Sequence, residues 1–216
     1  MTIISLASKI FFRELKSGQL LLMFLSLTLA VGIVASITFF TDRLDSSLLF
    51  ESKQFLGGDL KFESSSALDE TNFPDGSYTY ATIYEFGSVL GAKNNFQLSS
   101  VKSVSSPYPL VGEIEILKKG NDKVIKRSPP KSGEVWLDSR LARLLEVSPG
   151  DQINIGEKDF YVSGIIISES DRGAGSFAFA PKAIMNSADL EEANVIQPGS
   201  RVRYSYLFQA AGENIQ

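Results

Sequence analysis

Two stretches of this 216-residue sequence gather side chains that chemistry could use. One is Ser168-Glu169-Ser170-Asp171-Arg172-Gly173-Ala174-Gly175-Ser176-Phe177. Gly173 and Gly175 would let backbone approach a ligand, with Arg172 as an anion contact. Asp171, Arg172, Gly173, Gly175 and Phe177 thus form a candidate ligand or partner loop. A flexible connection whose glycines take positive φ has the same composition. The other is the carboxylate pair Glu113 and Glu115, two residues apart on one face of an alternating segment, where exposed carboxylates are ordinarily just solvated. Tyr78, Tyr80, Tyr84 and Phe86 form an aromatic row, read as a hydrophobic groove or, more simply, a core face.

What is missing excludes more than what is present suggests. The chain has no histidine and no cysteine, so Ser-His-Asp and Cys-His sets, histidine metal sites and disulfides are all ruled out. The pattern G-x-x-x-x-G-K-[ST] is absent, so ATP is not held by a P-loop. With 25 Asp/Glu against 21 Lys/Arg, the net charge of −4 offers no basic face for nucleic acid. The residues therefore indicate no enzyme and no cofactor in this chain; among hydrolases, only one working with carboxylates alone would fit.

The elements that would position these residues begin with a membrane anchor. Leu20 to Phe40 is a 21-residue run without charge, long enough at 1.5 Å per residue to span a hydrocarbon core of ~30 Å. A signal peptide would have a shorter apolar stretch and a small-residue cleavage site; here apolar residues continue through Phe39 and Phe40. Lys9, Arg13 and Lys16 against Glu14 precede the run, whereas 18 Lys/Arg and 24 Asp/Glu follow it. The positive-inside rule then puts the N-terminus in the cytoplasm and everything after Thr41 outside. Residues 1–17 are read as a cytoplasmic amphipathic helix, 18–41 as the transmembrane helix and 42–57 as a stalk. Thr41 to Phe55 has no Pro or Gly, Leu44, Leu48 and Phe55 recur at roughly helical spacing, and Gly57-Gly58 ends the helix. From Gln19 to Phe55 that helix would be roughly 55 Å long, and its apolar stripe calls for a partner helix.

Beyond Gly58 the period changes to two. Strands are expected at 59–63, 78–86, 96–104, 111–116, 123–126, 152–155, 160–167 and 202–208. Helices are expected after the N-cap Asp138 and over Pro181 to Glu191. Trp136 and Phe160 belong to the core of a second lobe. Ser128-Pro129-Pro130-Lys131-Ser132-Gly133 reads as a linker. The fold class is α+β, mostly antiparallel, in two lobes.

Several runs, in order, resemble YbbP-like ABC-transporter permeases of the MacB/FtsX/LolC superfamily. They are Phe11-Phe12-Arg13-Glu14-Leu15-Lys16-Ser17-Gly18-Gln19-Leu20, Gln54 to Leu60, Val101-Lys102-Ser103-Val104 with Tyr108-Pro109-Leu110-Val111-Gly112, and Gly133 to Leu141. Pro149-Gly150-Asp151-Gln152-Ile153, Ala180-Pro181 with Met185-Asn186, and Gln197 to Tyr204 complete the series. The resemblance implies a porter-like lobe over 58–127, an inserted small β-rich lobe over 128–194 and a return strand over 195–216. It implies a bacterial inner-membrane permease whose separate ATPase subunit binds ATP and Mg, with further membrane helices beyond Gln216, so that the chain is a piece of a longer protein. Leu44, Leu48 and Phe55 would then transmit motion along the stalk to extract or export hydrophobic molecules. The alternative is a single-pass extracytoplasmic binding or sensor module.

Overall fold

The computed structural model describes residues 3–16, 18–69, 73, 77–120, 122–169 and 180–210, and the chain divides into two compact units, Met1–Phe50 and Glu51–Gln216. Helix α1 (Ile3–Lys16) and helix α2 (Gln19–Leu56) fall where the hydropathy pattern places them. Within α2, Leu20–Asp45 is apolar enough to cross a membrane, with mean hydropathy 2.5 and none of it buried. The few hydroxyls of this stretch return their hydrogens to the helix: Ser26 to Met23 O, Thr28 to Phe24 O, Thr38 to Val34 O and Thr41 to Ile37 O. In hydrocarbon that satisfies these four hydroxyl protons within the helix itself. The helix stops where expected. Gly58 is buried so closely that a Cβ would meet the Phe208 carbonyl oxygen at 3.0 Å, and the Asp59 amide donates to that same oxygen.

The strands are β1 (Leu60–Ser64), β2 (Tyr78–Ala92), β3 (Asn95–Val104), β4 (Ile114–Leu117), β5 (Lys123–Lys126) and β6 (Glu134–Asp138). They continue as β7 (Gln152–Ile155), β8 (Lys158–Glu169), β9 (Lys182–Asn186) and β10 (Val202–Ala210). Helices α3 (Ser139–Leu145) and α4 (Leu190–Ala193) complete the set. All ten strands join one sheet of order β1-β10-β2-β3-β9-β6-β8-β4-β5, with β7 pairing β2 and β8. Pairs β3–β9 and β6–β8 are parallel and the others antiparallel. The unit is therefore mixed α/β.

Side-chain alternation explains how one sheet holds two cores. Val101, Val135, Leu137, Ala183 and Met185 pack in one cluster with Leu141 and Leu145 of α3 and with Ile153 and Ile155 of β7. Their strand neighbours of opposite parity, Val104, Trp136 and Ile184, pack in the other with Tyr108, Ile114 and Ile116. The two clusters thus lie on opposite faces, and the last six residues of β3 are buried throughout. Residues 58–127 and 128–194, expected as separate lobes, both contribute to each cluster, because β9 runs between β3 and β6.

Pro181 to Glu191 corrects the sequence reading. A helix is expected there, but Lys182–Asn186 is a strand, and only Leu190–Ala193 is α-helical. Ala183, Ile184 and Met185 are fully buried side by side between two strands. Tertiary packing on both faces overrides the local helix signal. Strand β6 is likewise not anticipated. The Ser128–Gly133 linker is pinned: Asp189, fully buried, accepts from Ser132 Oγ (2.6 Å), from the Gly133 amide and from Lys158 Nζ (2.7 Å). Asn186 Nδ2 also donates to Pro130 O at 2.8 Å.

Candidate functional site

The residues 171–177 named as a candidate loop, Asp171, Arg172, Gly173, Gly175 and Phe177 among them, lie outside the described residues. Their flanks are described, and they hold the most unusual electrostatics of the molecule. Strand β8 ends at Glu169 and β9 begins at Lys182. Glu169 Oε2 accepts from Lys182 Nζ at 2.8 Å, while Oε1 accepts from Lys102 Nζ at 2.7 Å and from the Tyr108 hydroxyl at 2.9 Å. Lys102 Nζ also donates to the Tyr108 hydroxyl oxygen at 2.7 Å.

Alternation places these groups. On β3, Lys102 shares parity with Val104, so it points to the face where Trp136 and Tyr108 pack. On β9, Lys182 shares parity with Ile184 and reaches the same face. Lys102 is fully buried and Glu169 is 7% exposed. Burial alone would push the Glu169 carboxyl up; the charges of Lys102 and Lys182, helped by their hydrogen bonds, outweigh it and hold the pKa at about 2. Charges this deep persist only when paired. The network ties β3, β8 and β9 together by ion pairs where they are not all sheet neighbours. Asp138 adds a second tie, capping α3 through the Leu141 amide and accepting from the Lys182 amide at 3.0 Å.

A pH dependence follows from the depressed carboxyl. The contribution of Glu169 to stability is complete above its ordinary value of 4.5 and is lost as pH falls through about 2. Urea midpoints followed by the emission of Trp136, the single tryptophan, should fall over that interval. A flat profile between pH 5 and pH 2 would contradict this assignment.

Chemically the network is a clamp. Lys102, Tyr108 and Glu169 are buried while Lys182 keeps partial access to solvent, and among the described residues no three His, Cys, Asp or Glu gather as metal ligands. The other predicted residues separate from it. Leu44 and Leu48 lie on α2, 45% and 56% exposed, and Phe55 lies in its last turn. Glu113 pairs with Arg127 and Glu115 with Lys123 at 3.7 Å, as expected of surface carboxylates. Of the aromatic row, Phe86 is buried in the α3-side cluster with Tyr84 packed against it. Tyr78 and Tyr80 stack with Phe208. Sequence reading singled out none of Lys102, Tyr108, Glu169 and Lys182 as a pair. The available signal was a lysine inside Val101-Lys102-Ser103-Val104 and a glutamate at the end of the apolar run Ile165 to Ile167.

Comparison with known proteins places the chain. It is 32% identical over 201 residues to the uncharacterized ABC transporter permease YbbP of Escherichia coli (strain K12), covering 92% of this chain and 24% of that protein. The chain thus spans about a quarter of the length of the curated relative it matches. No protein-family model matches it. Among solved structures, the periplasmic region of MacB from Actinobacillus actinomycetemcomitans is similar at 13% identity and TM-score 0.41, over 63% of this chain and 59% of that one. The extracellular domain of the noncanonic ABC-type transporter YknZ from Gram-positive bacteria is similar at 10% identity and TM-score 0.42, over 64% and 67%. On the sequence alignment, this chain is similar to the ABC transporter permease YbbP across nearly all of its own length.

Proposed function

We propose that the chain is the anchor and extracytoplasmic domain of a permease in which motion of membrane helices, driven by a separate ATPase binding ATP and Mg, is passed to the domain. The cargo in this reading is a hydrophobic molecule extracted or exported from a bacterial inner membrane, with the N-terminus in the cytoplasm and the domain outside. The observation that supports it is the uninterrupted 38-residue helix Gln19–Leu56. At 1.5 Å per residue it is about 57 Å long, against about 30 Å of hydrocarbon, so roughly half of its length is surplus to anchoring. A tether needs no such stiffness; a transmitter does. Leu48, exposed beyond the apolar stretch, and Leu44, exposed at its end, would pack on another helix of the same permease.

The test is a break in the rod. Ser47→Pro removes the amide that bonds toward Arg43 and places the proline ring against that carbonyl, costing the helix about 3 kcal/mol. In the full-length permease with its ATPase, transport is expected to fall at least tenfold while ATP turnover and membrane insertion persist. Unchanged transport would refute transmission through this helix.

A further inference from the structure

A cavity of about 390 Å³ opens beside the Ser128–Gly133 connection. Its charged lining is one-sided: Lys118, Lys119, Lys126 and Lys131 against Glu134 alone. None of the four lysines forms an ion pair among the described residues, whereas the neighbouring cations Lys123 and Arg127 are paired with Glu115 and Glu113. On a chain of net charge −4, such a cluster is not a by-product of a basic surface.

The alternation of the β4–β5 hairpin puts half-buried Lys126 on its inner side, whereas Lys118, just past the end of β4, is exposed, as are Lys119 and Lys131. Ile114, Ile116 and Lys118 share one parity, and across the pair Val124 and Lys126 share the facing one, with Ile114 opposite Lys126. Lys126 therefore sits on the side of the hairpin whose apolar residues face Trp136. Lys119 reaches the same space from the turn. Gly150, whose φ of +110 suits glycine, lies beside it: a Cβ there would sit 3.4 Å from Lys119 Nζ and 3.6 Å from the Tyr161 hydroxyl, in ordinary contact. The remaining wall is organic, with the Pro129-Pro130 pair and the Tyr161 ring.

We propose that this cavity binds a phosphate-bearing anion, with its head among the four ammoniums and its organic body against Tyr161 and the prolines. Arginine's planar fork, which suits carboxylate and phosphate alike, is absent from this lining, and what remains is lysine, a phosphate binder that acts as a point charge. A phosphate spreads up to two charges over three oxygens and suits several separate lysine point charges. Its volume lies in the range of small-ligand sites. The same head chemistry is offered by free phosphate and by an anionic lipid headgroup.

Trp136 lines the cavity and is the single tryptophan, so its emission reads occupancy. The full chain in an uncharged detergent is titrated with inorganic phosphate and with a short-chain phosphatidic acid, each against chloride at matched ionic strength. A saturable change is expected, with Lys119→Ala and Lys126→Ala each weakening binding about tenfold, the worth of one charge-assisted hydrogen bond, and Lys119→Arg retaining it. Tighter binding of the phosphatidic acid assigns the site to a lipid head, and equal binding assigns it to free phosphate. An inward lysine can also serve only to keep the edge strand β5 from pairing with another chain. That role predicts no saturable change, or midpoints untouched by the alanine variants, and either result overturns the proposal.

Discussion

Glu169→Gln is expected to cost the Glu51–Gln216 unit about 3–5 kcal/mol of unfolding free energy, the usual penalty for removing one partner of a buried ion pair. The amide keeps one acceptor oxygen but turns the other into an NH2 donor facing donors of the network, so both the charge and one acceptor are lost. Lys102, fully buried, is left to give up its proton or to stay ionised without compensation. Lys182 keeps a side chain that is 20% exposed and can turn to water, so Lys182→Met is expected to cost less. A cycle pairing Glu169→Gln with Lys102→Met should show strong coupling, the double variant being less damaged than the two singles summed. The readout is urea unfolding of the chain, followed by Trp136 emission. A Glu169→Gln protein within about 1 kcal/mol of wild type would mean that the clamp contributes little, as exposed pairs do.

Gly156→Ala adds one methyl group and is expected to fall in the rare class of substitutions costing about 4 kcal/mol or more. Gly156 turns the chain between β7 and β8 at φ +61, a backbone conformation that costs alanine about 1–2 kcal/mol before any contact is considered. The contact is worse: the new Cβ would lie 2.0 Å from the Ala193 carbonyl oxygen and 2.6 Å from Val195 Cγ1. That oxygen accepts the Glu157 amide at 2.9 Å, and Ala193 is fully buried, so the turn and the end of α4 must separate to make room. Gly120→Ala is the control. It has φ +97, and the nearest atom to its Cβ is the Asp122 carboxylate at 3.9 Å, so only the backbone penalty applies. Gly120 lies outside the left-handed well, so its backbone penalty is at least that of Gly156; in thermal unfolding of the two variants, a larger loss at Gly156 isolates the clash, and a Gly156→Ala loss of no more than about 2 kcal/mol would remove the steric argument.

These two sites show where sequence reading succeeds and where it stops. The apolar helix is legible because length and missing charge decide it locally, and Asp138 is legible as a cap because its amide partner is three residues away. Half-buried strands such as β10 also announce themselves, with Val202, Tyr204 and Tyr206 alternating against arginines. Strand β9 does not, since a run buried on both faces between β3 and β6 has no alternation to display. Glu169 and Lys102 stand 67 residues apart, and nothing local in either segment names the other. Gly156 reads as an ordinary turn glycine, because the carbonyl that forbids a side chain comes from a helix almost forty residues later. The lysines of the cavity were visible as letters, but their convergence depends on hairpin register. In each case the hidden information is a long-range pairing.

The unbroken burial of the last six residues of β3 has a consequence for how the domain can deform. Amides at an edge such as β1 or β5 can open by fraying alone, at little free-energy cost. Those at the centre of β3 are covered by a cluster on each face and hydrogen-bonded to strands on both sides. Exposing them means dismantling both clusters, so their opening free energy approaches that of unfolding the whole unit. The sheet therefore has no weak seam through its middle. A load arriving at one margin is borne by the entire slab, which tilts or shifts as one piece before it shears.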